Sequence, residues 1–75
     1  MDEKFIKLVS EALEININDL QGDLELDPED NWDSVSILST ISEIDAQYGI
    51  QLDGTELANC RKISDIFALI KKDIN

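Results

Sequence analysis

The sequence predicts an all-α fold: a small helical bundle of three main helices plus one short helix, with a long first loop. The prediction rests on a length of 75 residues, three segments with apolar residues at helical spacing, and an acidic, unpatterned stretch between the first two segments. We expect residues 1–75 to form a single domain. A domain this small buries a modest fraction of its surface and suits a binding or carrier module better than an enzyme.

The charge balance is strongly acidic, with 17 Asp and Glu residues against 6 Lys and Arg residues and a net charge of −11. Such a surface repels nucleic acids and anionic membranes, favours a monomer and suits basic partners. The chain has no histidine, and Cys60 is its single cysteine, so histidine-based catalysis, ordinary zinc sites and an internal disulfide are not expected. The lone cysteine and the lack of a signal-peptide pattern favour a cytoplasmic protein.

The first helix is expected from about Asp2 to Glu14. Asp2 can cap its start, and Glu3 complements the helix dipole there. Six apolar residues recur at helical spacing and form one stripe that should face the core. They are Phe5, Ile6, Leu8, Val9, Ala12 and Leu13.

The long loop is expected from Ile15 to Asp33, where Asn, Gly and Pro interrupt the chain and no apolar period persists. A short turn is expected near Asn18 to Leu20. Spaced aliphatic side chains should hold this loop against the core, and long ordered loops in small domains are often functional. These side chains are Ile17, Leu20, Leu24 and Leu26.

The second main helix is expected from Ser34 to about Tyr48, and Gly49 suits the position after its end. At 100° per residue, four side chains lie within roughly 60° of one another and form a core stripe. They are Ile37, Ile41, Ile44 and Tyr48.

Val35 and Leu38 lie about 100° or more from the centre of that stripe, on a flank with Ser42 and Asp45. Two interpretations remain open for this flank. The two aliphatic side chains pack under the preceding loop or are simply exposed, or they form an apolar contact for a partner with Asp45 at its edge.

The C-terminal part predicts a short helical turn from Thr55 to Cys60, with Leu57 and Cys60 inward and Cys60 acting as a small buried hydrophobe. A last helix is expected from Ile63 or Ser64 to Lys72, with Ser64 as a possible cap. Its stripe is Ile63, Ile66, Phe67, Ile70 and Ile74.

Ser34 stands where the acidic loop ends and the second helix begins, and two interpretations suit a serine there. It caps the helix, or its hydroxyl is presented for covalent modification. Asp33-Ser34-Val35 after a long acidic loop resembles the attachment site of acyl carrier proteins, and the order of helices is similar over nearly the whole chain. Trp32-Asp33-Ser34-Val35 resembles variants found in free-standing carriers of specialised pathways, and Ile63-Ser64-Asp65-Ile66 resembles the start of the family's last helix.

The resemblance implies that Ser34 carries 4′-phosphopantetheine, transferred from coenzyme A by a phosphopantetheinyl transferase, with Asp33 as the flanking motif residue. The thiol of the arm would hold an acyl or aminoacyl group as a thioester. Other expected partners are a loading ligase or adenylating enzyme and downstream synthases or transferases with basic docking patches. The chain itself would catalyse nothing, and Val35, Leu38, Ser42 and Asp45 would form the docking contact.

The sequence departs from the fatty-acid carriers of this family at several positions. Trp32 replaces the glycine often found before Asp-Ser, Ser36 and Ser39 replace two acids, and Lys62 replaces a capping threonine. These departures favour a dedicated pathway for a polyketide, a nonribosomal peptide or an acylated surface polymer. The alternative is an acidic helical adaptor that is not a carrier and binds a basic partner through the second helix.

Overall fold

A computed structural model describes residues 3–20 and 23–74, with side chains described for residues 3–20 and 23–73. Over these residues the chain forms four helices and no named strand, which confirms the predicted all-α class with three main helices, one short helix and a long first loop. The helices are α1 (Glu3–Leu13), α2 (Ser34–Tyr48), α3 (Gly54–Ala58) and α4 (Ile63–Ile74), and a 3-10 turn spans Ile17–Leu20.

One hydrophobic core joins all four helices, and the predicted stripes supply most of it. The Phe5 and Phe67 rings connect α1 to α4, with centroids 4.9 Å apart and a tilted geometry that aromatic pairs prefer. On α2, Ile44 is fully buried, whereas the other stripe residues pack against the core and remain half-buried. The side chain of Ile74, expected in the α4 stripe, lies outside the described residues. Leu57 and Cys60 are buried, as predicted.

Helix α1 ends at Leu13 because the next residue, Glu14, adopts a left-handed conformation with φ of 56°. The Ile15 N–H donates to the Ser10 carbonyl at 3.0 Å, and the Glu14 N–H donates to the Glu11 carbonyl at 3.3 Å. This hydrogen-bond pair is the Schellman arrangement, in which a left-handed residue closes the last helical turn. The proposed cap of α1, Asp2, lies outside the described residues.

The long loop contacts the core through Leu20, Leu24 and Leu26, and the 3-10 turn confirms the short turn predicted there. Ile17 was expected to be a fourth anchor, and this prediction is wrong because its side chain is 48 % exposed. Leu20, at the end of the turn, makes the buried contact. Three residues at a rise of about 2.0 Å each place Ile17 roughly 6 Å further along the axis, in solvent.

Further along, the loop pairs with the segment that precedes α4. The Leu26 N–H donates to the Arg61 carbonyl at 2.8 Å, and the Ile63 N–H donates to the Leu24 carbonyl at 3.1 Å. These two bonds flank an isolated antiparallel bridge between Glu25 and Lys62. The loop is therefore held by backbone hydrogen bonds as well as by its apolar side chains.

Ser64 does not cap α4, which begins one residue earlier, at Ile63. Its hydroxyl donates to Asp23 Oδ2 at 2.5 Å, and its backbone N–H donates to Asp23 Oδ1 at 3.1 Å. One carboxylate oxygen of Asp65 accepts the N–H groups of Arg61 and Lys62. Two carboxylates thus accept the N–H groups of Arg61, Lys62 and Ser64 around this helix start. Their negative charge also suits the positive end of the helix dipole.

Replacement of Asp23 tests this loop-to-helix connection. Asp23→Ala should lower the free energy of unfolding by about 1 kcal/mol, the usual effect of removing a helix-capping carboxylate. Glu29→Ala is the matched control, since it removes the same charge from the same loop at an exposed residue. Urea denaturation should separate the two variants, and equal stabilities would contradict the capping role of Asp23.

Candidate functional site

Asp33 is the N-terminal cap of α2, with extended backbone angles of φ −105° and ψ −175°. Its Oδ1 accepts the Ser36 N–H at 3.0 Å, and its own N–H donates to Ser36 Oγ at 2.9 Å. This reciprocal pair is a capping box. The interpretation of Ser34 as the cap is therefore wrong: Asp33 occupies the cap position, and Ser34 is the first residue of the helix.

The same hydrogen bonds keep Asp33 ionised. The backbone N–H of Ser36 lowers the pKa of the Asp33 carboxyl below its ordinary value, and the Ser36 hydroxyl lowers it further. Hydrogen bonds of this kind favour the charged form of a carboxyl group. A negative charge therefore stands directly beside Ser34 at neutral pH.

Ser34 is exposed at the first turn of α2. Within residues 3–20 and 23–73, no group forms a hydrogen bond with its hydroxyl. A serine hydroxyl is a weak nucleophile unless a neighbouring base takes its proton, and the chain has no histidine. Among the described residues, the Ser34 hydroxyl is thus accessible and has no hydrogen-bonded base beside it.

The flank predicted beside Ser34 faces solvent. Val35 is 73 % exposed and Leu38 is 65 % exposed, which excludes packing under the loop. Ser42 and Asp45 are exposed as well, and intervals of three, four and three residues place the four side chains in one row along α2. Ser34 therefore lies at the end of a row that has two adjacent aliphatic side chains and an acid.

Trp32 was not predicted to be a core residue, although it stands two positions before Ser34. Its side chain is only 2 % exposed, and its Nε1–H donates to the Leu57 carbonyl of α3 at 2.8 Å. A large aromatic residue within an acidic, polar stretch was the available signal. Its partner is 25 residues away, so local sequence patterns do not indicate the contact.

An open cleft of about 280 Å³ lies between the end of α1, the loop and the start of α2, and Val35 of the exposed row stands at its edge. Four carboxylate residues line it, and none of its lining residues is basic. An anionic group attached nearby would be repelled from this cleft. The lining residues are Glu11, Ala12, Leu13, Glu14, Asp30, Asn31, Asp33, Val35, Ser36 and Ser39.

Cys60 is the other reactive residue type in the chain, and its environment makes it inert. Burial raises the pKa of the Cys60 thiol to about 11, and the charges of Asp65 and Glu56 add to the shift. At neutral pH the group is a thiol, which is a poor nucleophile and metal ligand. This confirms Cys60 as a small buried hydrophobe.

Among the described residues, no group of three or more His, Cys, Asp and Glu side chains could hold a metal ion. None of the helices in that part of the chain combines the length and the apolar character needed to cross a membrane.

The model of the phosphopantetheine attachment site family matches residues 3–70. Because the match spans most of the chain and every helix described above, this protein belongs to the phosphopantetheine attachment family of carrier domains, which the acyl carrier proteins represent. Comparison with curated proteins gives no match, and neither does comparison with solved structures.

Membership defines the cofactor as covalently attached 4′-phosphopantetheine. The donor chemistry here fits that group, because an exposed hydroxyl at a helix start can form a phosphodiester beside the positive end of the dipole. Domains of this family generally work with a phosphopantetheinyl transferase and with biosynthetic enzymes, and they are generally carriers that do not themselves catalyse reactions.

The Asp33–Ser36 pair gives a test of the site electrostatics. Ser36→Ala removes the hydroxyl donor and keeps the backbone donor, so the pKa of Asp33 should rise part of the way toward its ordinary value of 3.8. Ser39→Ala, on the same helix, should leave it unchanged. Carbon-13 NMR titration of the Asp33 carboxyl measures both.

The pH dependence of stability follows from the same shift. A lowered folded-state pKa contributes stability above pH 3.8, the unfolded value, and this contribution is lost as the pH falls through the folded value. Wild type should therefore lose its stability advantage over Ser36→Ala below pH 3.8. An advantage that grows in acid would contradict the assignment.

Proposed function

We propose that this chain, as one domain over residues 1–75, carries an acyl or aminoacyl group for partner enzymes on a 4′-phosphopantetheine arm attached to Ser34. The observation that carries the proposal is the position of Ser34: an exposed hydroxyl at the first turn of α2, beside the capping carboxylate of Asp33. When attached, the arm supplies a terminal thiol that holds the carried group as a thioester.

The other serines support this choice because each lacks some property of Ser34. The hydroxyls of Ser10, Ser36 and Ser64 donate to groups of the chain itself. Ser39 is half-buried and lines the acidic cleft. Ser42 is exposed in the middle of α2, where the backbone N–H groups are used within the helix. Ser34 alone among them combines an exposed, unpartnered hydroxyl with a helix start.

The row of Val35, Leu38, Ser42 and Asp45 is the docking surface in this proposal. Two neighbouring aliphatic side chains, 73 % and 65 % exposed, offer an apolar contact beside the arm. The net charge of −11 steers partners that carry basic patches toward it. The partners proposed are the phosphopantetheinyl transferase, a loading ligase or adenylating enzyme, and downstream synthases or transferases.

A dedicated pathway in the cytoplasm, for a polyketide, a nonribosomal peptide or a surface polymer, is the proposed setting. Ser36, which replaces an acid of the fatty-acid carriers, has a structural use here because its hydroxyl completes the capping box. The docking row carries one acid, Asp45. The lone buried cysteine fits a reducing compartment.

Attachment at Ser34 can be tested with matched serine variants. Wild type incubated with coenzyme A and a promiscuous transferase should gain the mass of one phosphopantetheinyl group, and Ser34→Ala should gain none. Ser42→Ala removes another exposed hydroxyl from the same helix and should be modified like wild type. Because Ser34 is not the cap, Ser34→Ala should also unfold near the wild-type temperature.

The contrary result for this experiment is modification of Ser34→Ala, which would place the arm elsewhere. A pathway assay separates the carrier from an adaptor. A carrier should lose its function completely in Ser34→Ala. An adaptor that binds through the surface of α2 would keep its function without the hydroxyl.

The docking surface is tested by Leu38→Asp. A charge in the apolar contact should raise the KM of the transferase for the carrier about tenfold, which corresponds to a loss of ~1.4 kcal/mol of binding. Ile17→Asp is the control, since it makes the same change at an exposed aliphatic residue outside α2. Steady-state kinetics measure both, and an equal KM for the two variants would contradict the docking role.

A further inference from the structure

We propose that Trp32 is a positioning residue for the modification reaction: its hydrogen bond to the Leu57 carbonyl fixes the place and direction in which the Ser34 hydroxyl leaves the bundle. The inference rests on the proposed attachment at Ser34. It adds a residue that controls the attachment without contacting the reacting atoms.

The anchor of this connection is well fixed. The Trp32 side chain is almost fully buried, and its Nε1–H lies 2.8 Å from the Leu57 carbonyl oxygen. The same carbonyl accepts the Cys60 N–H at 3.0 Å, and the Leu57 side chain is fully buried. The indole therefore bonds to a backbone group that α3 and the core already hold in place.

The distance from the anchor to Ser34 along the chain is short. One residue, Asp33, separates Trp32 from Ser34, and the capping box holds Asp33 to Ser36. The backbone N–H of Trp32 donates to the Asp27 carbonyl at 2.9 Å. A shift of the indole is thus passed to Ser34 through a single restrained residue.

No other hydrogen bond in the described part of the chain provides the same restraint on residues 27–33. Residues 27–32 form a turn whose other hydrogen bonds are local, between Asp27, Asn31 and their neighbours. Within residues 27–33, the Trp32–Leu57 bond is the one hydrogen bond that the structure gives to a distant part of the chain. Ser34, exposed and unpartnered, takes its position from these neighbours.

Loss of the indole bond should change kcat of the transfer reaction. In the transfer, the Ser34 oxygen bonds to the pantetheine-linked phosphorus of coenzyme A, a base of the transferase takes the hydroxyl proton, and adenosine 3′,5′-bisphosphate leaves as the diphosphate bond breaks. Such a reaction depends on the alignment of nucleophile, base and phosphorus, and a displacement of about 1 Å can cost 10²-fold in rate. Leu38, Ser42 and Asp45 of the docking row lie on α2 beyond the capping box, which ends at Ser36, so loss of the indole bond should leave docking intact. A positioning role therefore predicts a lower kcat with an unchanged KM for the carrier.

The experiment uses two replacements of Trp32 in the full 75-residue chain. Chemical synthesis can introduce benzothienylalanine, which keeps the bicyclic shape and lacks the N–H donor. Trp32→Phe removes the donor and part of the ring. For phosphopantetheine transfer from coenzyme A by a promiscuous transferase, both should show a kcat about tenfold lower, equivalent to ~1.4 kcal/mol of barrier, and the wild-type KM.

Ile70→Val is the control for stability, since Ile70 is fully buried in α4. Ile70→Val should lower Tm, measured by circular dichroism, about as much as the two Trp32 replacements do. It should leave kcat unchanged. A wild-type kcat in the benzothienylalanine chain, or an equal fall of kcat in Ile70→Val, would overturn the inference and leave attachment at Ser34 standing. A wild type that accepts no phosphopantetheine would overturn the proposed function together with it.

Discussion

The structure depends on the connection between the long loop and residues 57–63. Fixing the backbone of a residue costs about 1–2 kcal/mol of conformational entropy, and the loop between α1 and α2 has little regular structure to offset that cost. Leu24 and Leu26 form backbone hydrogen bonds with the segment that precedes α4. Near the other end of the loop, the Trp32 indole donates a hydrogen bond to α3. The burial and hydrogen bonds of these residues fix where α2 begins, and with it the location of Ser34.

Charge divides the surroundings of Ser34 into two sides. On one side, carboxylates such as Glu11 and Asp30 line a cleft that repels an anionic arm. On the other side, Leu38 offers an exposed apolar side chain, and Val35 stands at the border between the two sides. A phosphodiester at Ser34 would interact favourably with the dipole of α2 and unfavourably with Asp33, which already uses the Ser36 N–H. An arm attached at Ser34, as proposed, would thus point toward solvent, where partner enzymes could reach it.

Most of the helices could be predicted from the sequence, because apolar periodicity reports which face of a helix meets the core. The same arithmetic correctly placed Val35 outside the core. It could not assign the cap, since Asp33 and Ser34 are both good capping residues and helix ends shift by a residue. It also could not show that Ile17 is exposed or that Trp32 is buried. Those outcomes depend on contacts between distant residues in a stretch without a period, such as the bond from Trp32 to Leu57.

The most direct measurement is peptide mapping by tandem mass spectrometry of the protein isolated from its native cell. If the arm is attached at Ser34, we expect a phosphopantetheinyl group on that residue, alone or extended by an acyl or aminoacyl thioester. The hydroxyls of Ser36, Ser39 and Ser42 should be unmodified. The mass of the extension would then identify the carried group. An arm on any other residue, or a chain that is never modified in that cell, would contradict attachment at Ser34.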